Sequence, residues 1–172
     1  SKKGLLKPNS VVLDTVVTST LGQKVCAHFN VEVESVLTGF KFIGEKIYRY
    51  ELSGEKHFEF GYEESYGYLI APFVRDKDSL QAIVMVSEIV NYFLKQGQTL
   101  DVVLDELMDI VGYHSDELYS IYFHGAQGKE TINQIMNKLR SHPLKELCGI
   151  KVSSYDDYKL LVKNAMGQDF SW

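Results

Sequence analysis

Apolar and polar residues follow two periodicities along the chain, one typical of strands and one typical of helices, and segments of the two kinds alternate. The β-branched run Val11–Thr18 predicts a strand. Leu21, Val25 and Phe29 then recur at the spacing of one helix face. Val31–Val36 alternates apolar and acidic residues, as a half-exposed strand does. The chain is therefore expected to begin with a strand, a helix and a second strand.

The next segment predicts another helix followed by a turn. The helix is expected to open at Thr38-Gly39, with an apolar face formed by Phe40, Ile43 and Ile47. Tyr48–Leu52 and Lys56–Phe60 lie on either side of Ser53-Gly54. This arrangement predicts a hairpin-like turn.

Two longer amphipathic helices are expected farther along the chain. Asp78 or Ser79 is a good N-cap for the first, and Gly97 is a good stop. The second is expected between Thr99 and Gly112. Because strands and helices alternate, the pattern predicts a layered α/β domain.

A domain boundary is expected near Tyr113–Asp116, so that residues 1–114 form one domain and residues 115–172 belong to another. The second segment predicts a strand, a helix and a strand, at Glu117–Phe123, Gly128–Arg140 and Gly149–Tyr158. A β-α-β piece of this size is too small to close a core of its own. We therefore expect it to be part of a longer protein.

Composition narrows the class of protein. The hydrophobic share of 45% is ordinary for a globular protein, and a formal net charge of −5 without a long basic run argues against a nucleic-acid-binding surface. Cys26 and Cys148 lack metal-ligand spacing, which favours free thiols in a reducing compartment. The longest apolar run, around Ala82–Val86, is too short for a membrane span. A soluble, cytoplasmic protein without membrane partners is expected.

The stretch Phe60–Ile70, "FGYEESYGYLI", carries two adjacent carboxylates and a hydroxyl inside an apolar and aromatic run. On a strand, Glu63 and Ser65 would share one side while Glu64 faces away. A carboxylate and a hydroxyl in this spacing suit a polyol, because both can hydrogen-bond its hydroxyl groups. The alternative is an exposed turn whose glutamates are simply solvated.

Three cations are candidates for binding a phosphate. Lys41 follows a helix start, where a cation is electrostatically out of place unless an anion binds there. Arg75 and Lys77 precede a long helix and could hold a phosphoryl group, or could only pair with Asp76 and Asp78. The Asp-x-Asp spacing alone is weak evidence for magnesium.

Three segments, "TGFKFIGEKI", "FGYEESYGYLI" and "FVRDKDSLQA", together resemble the third domain of the α-D-phosphohexomutase superfamily, and most of all its bacterial phosphoglucomutase branch. The resemblance covers nearly the whole chain. It implies a three-layer α/β/α domain with a mixed sheet, followed by a partial α+β unit that begins the fourth domain and stops before that domain's phosphate loop.

The resemblance also implies a set of substrate-binding residues. Glu63 and Ser65 would contact the sugar directly, in a loop that also contains Glu64. The substrate phosphate and its surroundings would be met by Lys41, Arg75 and Lys77. Tyr62 stands where many members have glycine, which leaves the choice among hexose and pentose sugars open.

The implied reaction interconverts glucose 1-phosphate and glucose 6-phosphate through a phosphoserine enzyme and a sugar bisphosphate, with Mg²⁺ as cofactor. Members carry a Ser-His-Asn-Pro loop, an Asp-x-Asp-x-Asp loop and an Arg-Pro-Ser-Gly-Thr loop, and this sequence has none of the three. Ser141-His142-Pro143 lacks the asparagine and reads as a helix terminus. We therefore expect no catalytic or metal-binding residue here, no cofactor bound by this chain, and no activity of the chain alone.

Two alternatives remain open: a phosphomannomutase or phosphopentomutase of the same superfamily, and a stand-alone sugar-phosphate-binding module. A glycosidase is disfavoured, because adjacent glutamates on a strand would not flank one glycosidic bond. The expected partners are a hexose phosphate and the other domains of the parent chain. An open edge strand in the C-terminal segment would also allow a homodimer.

Overall fold

The computed structural model describes residues 6–116, 120–153, 155 and 157–159. It divides into two compact units, Ser1–Glu117 and Leu118–Trp172, and each is described by itself. The assignment of residues 115–172 to the start of a fourth domain stays a prediction.

The first unit contains a mixed four-stranded sheet and four helices. In chain order the elements are β1 (Ser10–Thr15), α1 (Leu21–His28), β2 (Glu32–Val36), α2 (Phe40–Ser53), β3 (His57–Tyr62), β4 (Tyr68–Leu69), α3 (Ser79–Leu94) and α4 (Leu100–Val111). The strand order is β2-β1-β3-β4. Strand β1 runs parallel to β2 and β3, and β4 is antiparallel to β3.

Helices cover both faces of this sheet. All six residues of β1 are buried, which is typical of a central strand in a sheet covered on both sides. On one face, Leu13 belongs to the same apolar core as Ile43 of α2. On the other face, the Asp14 carboxylate accepts a hydrogen bond of 3.0 Å from Gln23 of α1. The predicted three-layer α/β/α fold with a mixed sheet is confirmed.

The main core lies between α2 and the sheet. Helix α2 buries one face at intervals of three or four residues, and the same cluster includes side chains of all four strands. Its buried members are Val11, Leu13, Val36, Phe40, Ile43, Ile47, Tyr50, Phe58 and Leu69. Each fully buried aliphatic side chain stabilises the fold by about 1.5–3 kcal/mol.

The hairpin-like turn expected around Ser53-Gly54 is wrong. Helix α2 continues to Ser53, and Gly54 ends it with a left-handed φ of 68° and an N–H that donates to the Tyr50 carbonyl at 2.8 Å. Tyr50 extends the buried face that begins with Phe40, so tertiary burial favours helix where the local pattern was ambiguous. Only the segment after Gly54 forms a strand, β3.

The predicted limits of α3 and α4 are confirmed to within a few residues. The Asp78 carboxylate accepts hydrogen bonds from the N–H groups of Leu80 and Gln81, as an N-cap should. Gly112, with a φ of 91°, ends α4. Among the described residues, no helix is long and apolar enough to cross a membrane.

The second unit, in its described part, contains one helix and a short hairpin. Helix α5 spans Gly125–Ser141, and β5 (Glu146–Leu147) pairs antiparallel with β6 (Ile150–Lys151). The two residues between these strands, Cys148 and Gly149, have positive φ values of 50° and 80°, as a tight hairpin turn requires.

Two strand predictions for this unit are therefore corrected. The strand expected at Glu117–Phe123 is absent from its described part, residues 120–123, while residues 117–119 lie outside the described chain. The strand expected at Gly149–Tyr158 is limited to β6, and Ser154 and Asp156 lie outside the described residues. The predicted helix is present, but the described part of the unit does not form a β-α-β arrangement.

Two substitutions on α2 test the burial of its apolar face. Ile47→Ala removes a fully buried side chain, so we expect the free energy of unfolding to fall by about 2–5 kcal/mol. Leu52→Ala, on the same helix at a position 71% exposed, should change it by less than about 0.5 kcal/mol. Urea denaturation followed by circular dichroism measures both, and equal losses would contradict the packing described here.

Candidate functional site

The two adjacent glutamates lie in a tight connection between β3 and β4, not on a strand. Strand β3 ends at Tyr62, and the Glu63 N–H donates to the Gly67 carbonyl at 2.9 Å, which turns the chain back. Tyr66, within the turn, has a left-handed φ of 65°. Because alternation of side chains holds only in extended backbone, the expectation that Glu63 and Ser65 share one side of a strand is wrong.

The Glu63 side chain is buried at the base of this turn, and solvent reaches only 7% of the residue. Its Oε2 atom lies 2.7 Å from the point where a Cβ on Gly67 would stand, so a larger residue there would displace the Glu63 carboxylate. Lys77 and Phe40 approach the same point within 3.1 and 3.4 Å. No described residue hydrogen-bonds to the Glu63 carboxylate. A carboxylate in such surroundings is costly unless a donor reaches it, which suits it to bind a ligand's hydroxyl group.

Glu64 and Ser65 are both exposed, but they differ in their partners. The Glu64 Oε2 atom accepts a hydrogen bond of 2.8 Å from the hydroxyl of Thr15, at the carboxyl end of β1. Ser65 has no hydrogen-bond partner for its hydroxyl among the described residues. Glu64 is therefore held against the sheet, whereas the Ser65 hydroxyl is available to a ligand.

Lys77 lies beside this turn, and Lys41 lies on the first turn of α2. The Lys77 ammonium group is 3.2 Å from an Asp76 carboxylate oxygen and 5.6 Å from the centre of the Phe40 ring. The backbone N–H of Lys77 donates to Asp76 and, with the ammonium group, lowers the pKa of Asp76. The ammonium group of Lys41 lies 4.9 Å from the centre of the Phe42 ring, and no described carboxylate pairs with it.

The Arg75 side chain lies apart from Glu63 and Lys77. Its guanidinium group forms an ion pair with Glu51, in the last turns of α2, and donates to the Pro72 carbonyl. The structure therefore brings Glu63 and Lys77 together beside the first turn of α2, but engages Arg75 toward the other end of that helix. Asp78 is the cap of α3 rather than a partner of either cation.

A cavity of about 400 Å³ opens beside the turn, with Tyr66, Lys77 and Ser79 among its lining residues. A volume of this order is sufficient for a small phosphorylated ligand. The turn follows the carboxyl end of β3, which is parallel to β1, so Glu63 and Thr15 share one edge of the sheet. Ligands of open α/β sheets bind at this edge. A second cavity, of about 370 Å³, is lined by Lys7 and His57, near the amino ends of the same strands.

Tyr62 points away from the turn, into the layer between the sheet and α1. Its hydroxyl lies 2.0 Å from the position of a Cβ on Gly22, so glycine is required in α1 at this contact. Burial, together with the charges of Asp14 and Cys26, raises the pKa of Tyr62 far above its usual range. The Tyr62 hydroxyl and one Asp14 carboxylate oxygen are both buried without a hydrogen-bond partner.

Sequence reasoning missed Thr15 and its neighbour Thr18. Both lie within the β-branched run Val11–Thr18, which predicts a strand, so no local signal separates them from structural threonines. Only the tertiary structure brings Thr15 to Glu64, which is 49 residues away along the chain. Within the described residues, no group of three or more His, Cys, Asp or Glu side chains is placed to hold a metal ion.

Comparison with known proteins gives a consistent result over most of the chain. A family model described as phosphoglucomutase/phosphomannomutase, alpha/beta/alpha domain III, matches residues 1–111. A phosphoglucomutase from Staphylococcus epidermidis is 38% identical over 162 residues, which is 94% of this chain and 29% of the relative. Two phosphoglucomutases from Staphylococcus aureus strains are 39% identical over 148 residues, or 86% of this chain and 26% of each relative.

The chain thus spans less than a third of the length of the curated relatives it matches. The family model ends at residue 111, but the longer alignment also includes much of the second unit. No solved structure matches the chain significantly.

The burial of Cys26 and the nearby charge of Asp14 allow a prediction about thiol reactivity. Burial and the Asp14 charge raise the pKa of Cys26, so less of it is thiolate at pH 8. Because the thiolate is the reactive species, we expect iodoacetamide to label the exposed Cys148 first and Cys26 several-fold more slowly. Asp14→Asn should lower the pKa of Cys26 and speed its labelling.

Peptide mass spectrometry over a time course measures both rates, with Cys148 as the internal control. Circular dichroism of the Asp14→Asn protein must first show the native spectrum. Equal labelling of the two thiols in the unsubstituted chain would contradict this assignment.

Proposed function

This chain belongs to the phosphoglucomutase/phosphomannomutase family, and from that premise we propose that it is the sugar-recognition part of an enzyme that interconverts glucose 1-phosphate and glucose 6-phosphate. The membership confirms the resemblance to phosphohexomutases. The observation that carries the proposal is the turn from Glu63 to Gly67, at the carboxyl edge of the sheet, where one carboxylate and one hydroxyl have no hydrogen-bond partner among the described residues.

The turn has the chemistry needed to hold sugar hydroxyl groups. A carboxylate accepts hydrogen bonds from hydroxyls, and the bonds are strengthened by its charge. A serine hydroxyl can both donate and accept. Glu63 and Ser65 are two residues apart and flank the anchored Glu64. Together they can distinguish a polyol from a ligand that lacks adjacent hydroxyls.

The first turn of α2 and the ammonium groups of Lys41 and Lys77 suit the phosphate of the same ligand. The first N–H groups of a helix lack partners within it, and they favour an anion. Gly39, the N-cap of α2, supplies no side-chain acceptor for them. Lys41 adds positive charge near the Phe42 ring, and Lys77 adds it near the Phe40 ring. Arg75 would have to leave Glu51 to contribute.

In the proposed reaction, a phosphoserine elsewhere in the full-length protein transfers its phosphoryl group to the sugar phosphate, and the resulting bisphosphorylated sugar returns its other phosphoryl group to the serine. The intermediate has to be held in two orientations, which favours a loop that binds hydroxyls common to both. The described residues do not fit a Mg²⁺ site, so the metal implied by the family would be held outside them. The contribution of this chain is to bind and orient the sugar.

Variants of the full-length protein test the role of the turn. Glu63→Gln and Ser65→Ala should each lower kcat/KM for glucose 1-phosphate, by about 10- to 100-fold for Glu63→Gln, since its hydrogen bonds are to a charged group. Glu55→Gln, at an exposed position beyond α2, should leave kcat/KM unchanged. A coupled assay of glucose 6-phosphate formation measures all three variants.

Unchanged kinetics in both turn variants would mean that the turn is a solvated connection. Matching assays of mannose 6-phosphate formation from mannose 1-phosphate and of ribose 5-phosphate formation from ribose 1-phosphate distinguish a phosphoglucomutase from the phosphomannomutase and phosphopentomutase alternatives. A preference for either of these sugars would overturn the assignment to glucose.

The purified 172-residue chain alone is expected to show no mutase turnover, since it carries none of the nucleophile, metal and phosphate loops that the family implies. We expect only weak binding of glucose 1-phosphate, measured by titration calorimetry. Turnover by this chain would contradict the proposal, and tight binding without turnover would favour the stand-alone binding module.

A further inference from the structure

Thr15 connects the central strand of the sheet to the turn that carries the glutamates. It is the last residue of β1 and is completely buried. Its hydroxyl lies 2.8 Å from the Glu64 Oε2 atom and 2.8 Å from the Thr18 hydroxyl. The backbone N–H of Thr15 donates to the same Thr18 hydroxyl at 3.4 Å. Thr15 therefore contacts the candidate site from the side of the sheet, and its burial keeps it away from a ligand.

The chemistry of these groups assigns each proton. A carboxylate only accepts hydrogen bonds, so the single hydroxyl proton of Thr15 points to Glu64. The Thr18 hydroxyl must then donate to Thr15, and it can still accept from the Thr15 backbone. The result is a continuous chain of hydrogen bonds from the backbone of β1 to the Glu64 carboxylate. Only one assignment of the protons satisfies all of these hydrogen bonds, so the network holds the Glu64 carboxylate in one position.

The turn has few other restraints. Its ends are closed by the hydrogen bond from Glu63 to Gly67. Between them, Ser65 has no side-chain partner among the described residues, and Tyr66 is 84% exposed. Glu64 is thus the point at which the tip of the turn is fastened to the sheet, and Glu63 and Ser65 lie directly on either side of it.

We infer that Thr15 is a positioning residue for the sugar-binding turn, and that Glu64 is its anchor rather than a sugar contact. This inference rests on the proposed function. The two adjacent glutamates have different roles. Glu63 has no hydrogen-bond partner among the described residues and is available to the ligand, while Glu64 is hydrogen-bonded to Thr15. A binding geometry that is set before the sugar arrives avoids the cost of ordering the turn on binding.

The test uses the full-length protein and a series of substitutions at Thr15. Thr15→Val keeps the shape but removes the hydroxyl, so we expect the KM for glucose 1-phosphate to rise about tenfold, with a smaller change in kcat. Thr15→Ser keeps the hydroxyl and should restore KM to within about twofold. Thr99→Val, at an exposed position before α4, is the matched control and should leave KM unchanged.

A double variant shows whether Thr15 acts through Glu64. If it does, Thr15→Val combined with Glu64→Met should raise KM no more than either change alone, because one hydrogen bond joins them. Additive effects, or a Thr15→Val protein that melts at a lower temperature with unchanged KM, would overturn the inference and leave Thr15 a structural residue. Absence of mutase activity in the unsubstituted full-length protein would instead overturn the proposed function, and this inference with it.

Discussion

The burial of β1 on both of its faces is the constraint on which the rest of the first unit depends. One side of the strand packs against α2, and the other meets α1 through Asp14 and Gln23. Because its neighbours β2 and β3 are both parallel to it, the connections must cross over the faces of the sheet as helices. The carboxyl ends of β1 and β3 then meet at one edge, and Thr15 comes to lie beneath the turn that follows β3.

The turn at that edge explains why two charged residues stand side by side in an aromatic run. Glu63 is buried next to Lys77 and Phe40 and has no hydrogen-bond partner in the described part of the chain, whereas the exposed Glu64 is hydrogen-bonded to Thr15. Gly67 makes this arrangement sterically feasible, because any side chain there would meet the Glu63 carboxylate. The site is therefore formed by four separate segments of the chain, which only the fold brings together.

Local signals were sufficient where one physical cause dominates. The pattern predicts Asp78 or Ser79 as the cap of α3, and it is the Asp78 carboxylate that accepts from two backbone N–H groups. Local signals failed where one sequence pattern is compatible with two structures. Ser53-Gly54 can turn a hairpin or end a helix, and the burial of Tyr50 decided for the helix. Cys148-Gly149 supplied a tight turn that the pattern of apolar residues did not indicate.

The alternation of strands and helices, the family resemblance and the candidates for binding a sugar phosphate could all be predicted from the sequence. The alternation follows from the periodicity of apolar residues, the family from the likeness of three segments to known members, and the candidates from side-chain chemistry. Only the tertiary structure decided that Arg75 is paired with Glu51, that Tyr62 faces α1, and that Thr15 holds Glu64. Each of these depends on atoms far apart in the chain meeting within a few ångströms, and the spacing of residues along a sequence does not contain such distances.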